Sequence, residues 1–273
     1  MTVLLYQDYI HNNGVLLHAL RAHFGADNVL HCDAADILGG CLEKARLLAM
    51  PGGADLYYCE KLNGEGNKAI REFVEQGGAY LGICAGAYYA CAELEWAKDE
   101  KEPIRGAREL GFYKGKAVGP VYEFIEDGDI NKCWDDAARV ITNIPSSRRK
   151  PGSSAISQEY PGLRRDDEYV VFYSAGPIFI GDNTAIILAR YADLSGQPAA
   201  AVECAVGKGK AILCGPHPEY DAESYAGAIY RHRNASYKWQ TGVAEKLDGG
   251  QQEKFRKAIF DRALPEGIVR HAA

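Results

Sequence analysis

The sequence predicts an α/β fold in which helices cover both faces of a mostly parallel central sheet. In the first half of the 273-residue chain, short apolar runs alternate with segments of helical spacing. The loops between them are short, which is typical of repeated β-α units and of parallel sheets. From about residue 98 to residue 167 the chain is instead rich in Gly, Pro and charge, with scattered strand-like runs. We therefore expect a β-rich excursion in the middle of the chain.

Short apolar runs bounded by turn residues predict the strands. The first is Val3–Tyr6, and two late strands, Ala200–Val206 and Ala211–Cys214, flank Gly207-Lys208-Gly209. This Gly-Lys-Gly sequence is typical of a hairpin turn, so we expect the two late strands to pair. The other predicted strands are Asn28–Cys32, Ala45–Met50, Ala79–Ile83, Val118–Ile125, Ala138–Ile144, Tyr169–Tyr173 and Ala185–Ala189.

Apolar residues at helical spacing predict the helices. Gly14–Phe24 places its apolar residues on one face, and Asn67–Gln76 ends at Gly77-Gly78, because glycine is favoured just past a helix C-terminus. We interpret the whole chain, residues 1–273, as one domain with an irregular, β-containing insertion at about 98–167 and a helical extension at about 221–273. The other predicted helices are Ala85–Trp96, Ala222–Arg231 and Gln251–Leu264.

Composition and charge limit the classes of partner. The chain has 47% hydrophobic and 25% charged residues and a net charge of −6, so no basic field is available to hold phosphates, and we expect no nucleic-acid partner. No apolar run reaches the roughly 18 residues that span a bilayer, and the N-terminus lacks the basic region of a signal peptide. We therefore expect a cytoplasmic protein with a small-molecule substrate or ligand and no membrane partner. A protein partner or a homo-oligomer stays open.

The eight cysteines are scattered along the chain and follow no signal sequence, which favours reduced thiols over disulfides. No Cys-x-x-Cys pair or histidine cluster has zinc-ligand spacing, so we predict no metal site. A flavodoxin-like protein with a bound cofactor is one interpretation of the fold pattern. No Gly-x-Gly-x-x-Gly follows the first strand, however, and we predict no cofactor.

One cysteine, Cys84, lies between a predicted strand and a predicted helix. The sequence Gly82-Ile83-Cys84-Ala85-Gly86 is Gly-x-Cys-x-Gly, the cysteine form of a nucleophile elbow. Small residues two positions before and after the nucleophile let strand and helix approach closely. The helix N-terminus then faces the sulfur, where it favours a thiolate and can hold an oxyanion. A glycine-lined turn with a buried thiol is the alternative.

A base for this thiol is best sought among the seven histidines, of which His217 directly follows a predicted strand. Pro216 and Pro218 flank it, and a residue before proline is pushed toward extended geometry. His217 and Glu219 then project to the same side, where the carboxylate can orient the imidazole. Ligands of open α/β sheets bind at the carboxyl ends of strands, the position of both this loop and the elbow. A solvated histidine in a proline-rich turn is the alternative.

An oxyanion site needs two donors, and the N–H of Ala85 is the first candidate. The second is the loop Pro51-Gly52-Gly53 at the end of a neighbouring strand, through Gly53 or Gly52, because glycine allows close approach of a substrate to the backbone. A generic tight turn is the alternative there. Of the tyrosines near these motifs, Tyr58 and Tyr88 are predicted, with Gly52, to contact substrate, although tyrosine in such runs also fills cores.

Three motifs in this order, "PGG", "GICAG" and "HPE", resemble those of the class I glutamine amidotransferase superfamily. The segment Met50–Ala90 is similar over its whole length to one branch, the glutamine-amidotransferase-like domain at the N-terminus of biotin–protein ligases, which also occurs as a free-standing protein. The resemblance implies a flavodoxin-like three-layer α/β/α fold. It also implies that Cys84 is the nucleophile, His217 the base and Glu219 its partner.

The sequence departs from the superfamily pattern after the elbow. Glutaminase domains usually carry a glutamine there that holds the substrate, and this chain has Ala87-Tyr88-Tyr89. No Gly/Arg-rich adenylate-binding loop is visible, so we expect no biotin ligation by this chain. Two functions remain. One is a Cys-His-Glu hydrolase or amidotransferase-like protein that acts on an amide or related acyl group through a thioester at Cys84. The other is a catalytically silent module that binds a small molecule or regulates.

Overall fold

The structure is a computed structural model that describes residues 1–8, 13–142, 167–231, 236–247 and 249–264. These residues form one mixed sheet of thirteen strands with flanking helices, which confirms the predicted fold class. The strands are β1 (Val3–Tyr6), β2 (Val29–Cys32), β3 (Leu47–Met50), β4 (Ala79–Ile83), β5 (Cys91–Trp96), β6 (Ile104–Ala107), β7 (Tyr113–Gly119), β8 (Asp135–Thr142), β9 (Glu168–Ser174), β10 (Ile178–Ile180), β11 (Ile186–Tyr191), β12 (Ala199–Val206) and β13 (Gly209–Cys214). The helices are α1 (Gly14–Phe24), α2 (Ala34–Leu38), α3 (Asp55–Leu62), α4 (Glu65–Glu75), α5 (Ala85–Tyr89), α6 (Ala222–Arg231), α7 (Tyr237–Lys246) and α8 (Gly249–Arg262).

The parallel half of the sheet runs in the order β2-β1-β3-β4-β13. Every residue of β1, β3 and β4 is buried, as expected for parallel strands with helices on both faces. In this register Ile83 at the end of β4 lies beside Cys214 at the end of β13. The carboxyl ends of β3, β4 and β13 therefore meet at one edge of the sheet.

The other half of the sheet is mainly antiparallel and contains the predicted β-rich excursion. β12 and β13 form the expected hairpin, with Gly207 in its turn at a φ of +56°. Beyond β12 the sheet continues through β10, β7, β5 and β6, while β11, β8 and β9 form a branch. A bridge between Phe172 of β9 and His217 brings the end of this branch to the loop that follows β13.

The two faces of the sheet bury two separate apolar clusters. Along β1, Val3 and Leu5 point to one face and Leu4 and Tyr6 to the other, as the two-residue period of a strand requires. The first cluster packs against α1 and α8, and the second against α3, α4 and α5. Helices thus cover both faces of the parallel half, which is the three-layer arrangement that the sequence predicts.

Two predicted elements are wrong. The helix expected over Ala85–Trp96 ends at Tyr89, and its second half is β5, which pairs with β6 and β7. Strand pairing overrides local helix preference there, because both edges of β5 find partners. The strand expected over Val118–Ile125 is instead the end of β7 followed by a 3₁₀ turn at Tyr122–Phe124, since Pro120 cannot donate a ladder hydrogen bond.

Several elements lacked a sequence signal strong enough to predict them. They are α2, α3, α7, β6, β10 and β7 up to Ala117. The predicted end of β8 at Ile144 and most of the second part of the insertion lie outside the described residues. Among the helices in the described part of the chain, none combines the length and apolarity needed to cross a membrane.

Candidate active site

The elbow at Cys84 has the backbone that the pentapeptide predicts. Cys84 adopts a φ of 48° and a ψ of −105°, a conformation that costs energy for an L-residue and is held only by its surroundings. A Cβ added to Gly82 would lie 2.5 Å from the Gly86 carbonyl oxygen, and one added to Gly86 would lie 2.2 Å from that of Met50. Only glycine fits at both positions, so β3, β4 and α5 pack closely around the thiol.

The helix after the elbow is shorter than expected. α5 has five residues, so its dipole at the sulfur is weaker than a twelve-residue helix would supply. The Gly86 N–H donates to the Pro51 carbonyl at 3.0 Å, which ties the elbow to the Pro-Gly-Gly loop. At the first helical position, the N–H of Ala85 has no acceptor in its own helix and stays the candidate oxyanion donor.

The Pro51-Gly52-Gly53 loop lies directly against the elbow and the histidine. A Cβ added to Gly52 would lie 2.7 Å from His217 Cε1 and 3.5 Å from Cys84 Cβ. Gly53 is exposed and has a φ of +138°, which favours glycine. The structure thus brings the loop, the cysteine and the histidine together, and the role of Gly53 as a second oxyanion donor stays a prediction.

His217 and Glu219 form a buried pair. The Nδ1 of His217 lies 2.7 Å from Oε1 of Glu219, and the residues are 8% and 5% exposed. Because a carboxylate only accepts, Nδ1 carries the proton of this hydrogen bond. The backbone N–H of His217 donates to the Phe172 carbonyl at 2.8 Å, which fixes the loop to β9. The two side chains therefore share one side, as the i and i+2 spacing predicts.

Opposing effects set the proton affinity of the imidazole. Burial by itself lowers the pKa of His217, but the charge of Glu219 and hydrogen bonds with Cys84 and Glu219 outweigh it and hold that pKa well above its ordinary value. Cys84 is thus one of the groups that raise the pKa of the imidazole. This arrangement favours a protonated imidazole beside the sulfur.

One residue at the site, Ser174, is not predicted from the sequence. Its carbonyl oxygen lies 3.4 Å from Cys84 Sγ and 3.3 Å from His217 Nε2. Ser174 ends β9 and is followed by Ala175-Gly176-Pro177, small residues and a proline after a buried strand. The Pro51-Gly52-Gly53 loop likewise combines a proline and small residues directly after a buried strand. This shared pattern is the sequence signal that indicates the turn at Ser174.

The two tyrosines predicted to contact substrate are buried beneath the loops. The hydroxyl of Tyr58 donates to the Pro51 carbonyl at 2.9 Å, and that of Tyr88 donates to the Ala175 carbonyl at 3.1 Å. Both hydroxyls therefore support backbone around the site. Contact between either tyrosine and a ligand stays a prediction.

The other histidines and the cysteines are the remaining candidate metal ligands. Of the other histidines, three lie on α1 or β2 and three lie outside the described residues. All eight cysteines are described, and each is a free thiol. Burial raises the pKa of Cys91, Cys204 and Cys214, as expected of inert core thiols. The described residues contain no group of three or more His, Cys, Asp or Glu side chains arranged to hold a metal ion.

Comparison with known proteins gives matches in sequence and in fold. The family model described as "Biotin-protein ligase, N terminal" matches residues 41–266. An uncharacterized protein of Chlamydia muridarum is 35% identical over 181 residues, which are 65% of this chain and 62% of the relative. A biotin–protein ligase of Schizosaccharomyces pombe is 31% identical over 182 residues, which are 65% of this chain and 26% of the ligase. The match thus spans less than two thirds of either relative.

Solved structures of glutamine amidotransferases resemble the fold as a whole. One from Thermotoga maritima superposes with a TM-score of 0.53 at 16% identity and covers 96% of this chain and 97% of its own. Another, from Methylobacillus flagellatus, has a TM-score of 0.53 at 12% identity and covers 100% and 98%. At this identity the likeness concerns the fold alone.

Proposed function

Because the chain belongs to the family of biotin–protein ligase N-terminal domains and shares the fold of glutamine amidotransferases, we propose that it cleaves an amide or related acyl group through a thioester at Cys84. The observation that carries the proposal is the buried His217–Glu219 pair, 2.7 Å between Nδ1 and Oε1, beside a cysteine held at positive φ. A nucleophile, a base and an orienting carboxylate are the three groups that acyl transfer by a thiol needs.

In the proposed reaction, the thiol proton has passed to His217, and the thiolate of Cys84 attacks the carbonyl carbon of the substrate. The N–H groups of Ala85 and Gly53 bind the oxyanion of the tetrahedral intermediate. The imidazolium then protonates the leaving amine, and the intermediate collapses to a thioester. Water, deprotonated by His217, attacks the thioester and releases the acid and the thiol. Glu219 holds the imidazole in orientation throughout.

A second candidate is a silent module that binds a small molecule. Cys84 and His217 are only 6% and 8% exposed, and the Ser174 carbonyl contacts both, so the thiol has little open approach in this conformation. The stretch Ala87-Tyr88-Tyr89, where glutaminases usually carry a glutamine that holds the substrate, also argues against glutamine as the substrate. The first proposal therefore concerns amides in general, with glutamine as one member of the panel to be tested.

The test measures turnover and the covalent intermediate in parallel. Wild type, Cys84→Ala, His217→Ala and the control Cys133→Ala, whose half-buried thiol lies away from the site, are incubated with a panel of primary amides that includes glutamine. We expect release of ammonia and a hydroxylamine-sensitive mass adduct on Cys84 in wild type and Cys133→Ala only. Turnover that persists in Cys84→Ala contradicts the proposal. A ligand that raises the melting temperature of wild type and Cys84→Ala equally, without an adduct, identifies the silent module.

A further inference from the structure

The turn that follows β9 is held by an unusual set of contacts. Its four residues are Ser174, Ala175, Gly176 and Pro177, and the carbonyl oxygen of each one accepts a contact from a side chain. Ser174 faces the thiol and the imidazole. The next three carbonyls accept hydrogen bonds from the hydroxyls of Tyr88 at 3.1 Å, Tyr173 at 2.9 Å and Tyr191 at 3.3 Å, in that order.

This turn has little freedom to move. All three tyrosines are buried, and burial raises the pKa of each well above its ordinary value, so the hydroxyls stay protonated donors. Ala175 has a φ of +54°, and a Cβ added to Gly176 would lie 1.8 Å from the Gly215 carbonyl oxygen. The position of the Ser174 carbonyl is therefore fixed by its neighbours in the turn.

That carbonyl distinguishes between the protonation states of His217. A carbonyl only accepts, so the 3.3 Å contact with Nε2 is a hydrogen bond when Nε2 carries a proton. Since Nδ1 donates to Glu219, a proton on both nitrogens satisfies two acceptors at once. The neutral imidazole instead turns an Nε2 lone pair toward the carbonyl oxygen. The turn therefore favours the imidazolium over the neutral imidazole.

We propose that Tyr88 is a positioning residue of the active site, which fixes the turn through Ala175 so that the Ser174 carbonyl accepts the Nε2 proton of His217. This inference rests on the proposed function, because it assigns His217 the role of the base. In this inference Tyr88 positions the base, His217, and does not contact the substrate.

The adjacent residue provides a matched control. Tyr89 is buried like Tyr88, but its hydroxyl donates to the Asn67 side chain of α4 and lies 3.5 Å from the Tyr58 carbonyl oxygen. Its removal takes away a buried hydroxyl of the same kind without touching the turn. A purely structural role for Tyr88 predicts the same effect on His217 from Tyr88→Phe and Tyr89→Phe.

The experiment is an NMR titration of the His217 Cε1–H signal in ¹³C-histidine-labelled protein, with His217→Asn used to identify the signal. When the turn shifts, the Nε2–H group of the imidazolium loses its fixed acceptor, so the charged form of His217 loses stability relative to the neutral form. We therefore expect Tyr88→Phe to lower the pKa of His217 by about half a pH unit or more. Tyr89→Phe is expected to leave it within about 0.2 unit of the wild-type value.

An unchanged pKa in Tyr88→Phe, or an equal fall in Tyr89→Phe, overturns the inference. If Tyr88→Phe fails to fold, Tyr191→Phe releases the same turn from its other end, and the same two criteria decide. The titration needs no turnover, so its failure is distinguishable from failure of the proposed function. If the pKa of His217 falls in Tyr88→Phe but no amide is cleaved, Tyr88 still positions His217 and only the proposed function fails. If amides are cleaved but the pKa does not fall, the proposed function holds and Tyr88 is not a positioning residue.

Discussion

Replacement of Glu219 by Gln removes the charge that holds the proton on His217 and keeps the shape of the side chain. Unit charges about 4 Å apart attract by about 4 kcal/mol at an effective dielectric of about 20, and burial of the imidazolium opposes part of this. After this desolvation cost, the net contribution of a hydrogen bond to a charged group is about 1.5–3 kcal/mol. We therefore expect the pKa of His217 to fall by about one to two units in Glu219→Gln.

The same change has a pH-dependent effect on stability. The folded pKa of His217 is raised above its unfolded value, so its contribution is fully present below about pH 6.5 and is lost as pH rises through the folded pKa. Glu219→Gln is thus expected to lower the free energy of unfolding by about 1.5–3 kcal/mol at pH 6, and the loss shrinks toward pH 9. Urea denaturation at several pH values measures the difference.

Glu203→Gln is the matched control for this prediction. Glu203 is 8% exposed and pairs with Arg262, whose charge does not titrate between pH 6 and pH 9. Its loss of stability should be constant over that range. The reasoning is refuted if the destabilisation by Glu219→Gln is equally constant, or if it grows as the pH rises.

Three further predictions concern the elbow and its loop. In a mass-mapped alkylation at pH 6, Cys84 should react faster than Cys91, Cys204 and Cys214, and equal rates would contradict an activated thiol. Gly52→Ala should abolish adduct formation with a true substrate while the protein stays folded by circular dichroism, because its Cβ meets the His217 ring at 2.7 Å; normal turnover would show that the loop is free to retreat. Gly86→Ala should destabilise by about 2 kcal/mol or more in thermal unfolding, whereas Gly242→Ala on α7, with open space around it, should be neutral or stabilising by up to about 1 kcal/mol.

The sequence predicts the parallel half of the sheet and the principal site residues because each has a local signal. Fully buried strands are continuous apolar runs, and the elbow needs glycine at Gly82 and Gly86. His217 is recognisable from its place after a strand and between two prolines, and Glu219 from its place two residues later. Here the local pattern and the tertiary structure require the same residues.

The parts that the sequence does not predict depend on contacts between distant segments. β5 is a strand because β6 and β7 lie on either side of it, and neither neighbour is evident from its own residues. Ser174 contacts Cys84 and His217 through its backbone carbonyl, which every residue type carries, so no side-chain pattern indicates it. Its position follows from the pairing of β9 with the loop at His217, a register that only the folded chain defines.

The pairing of β4 with β13 also bears on the order of events during synthesis. Cys84 and His217 are adjacent in space and more than a hundred residues apart in the chain, with the whole β-rich excursion between them. A nascent chain that has emerged only as far as the elbow carries a cysteine without a base. Because such long-range pairings form late in folding, we expect the proposed thioester chemistry to begin only after the β12–β13 hairpin has formed and packed against β4.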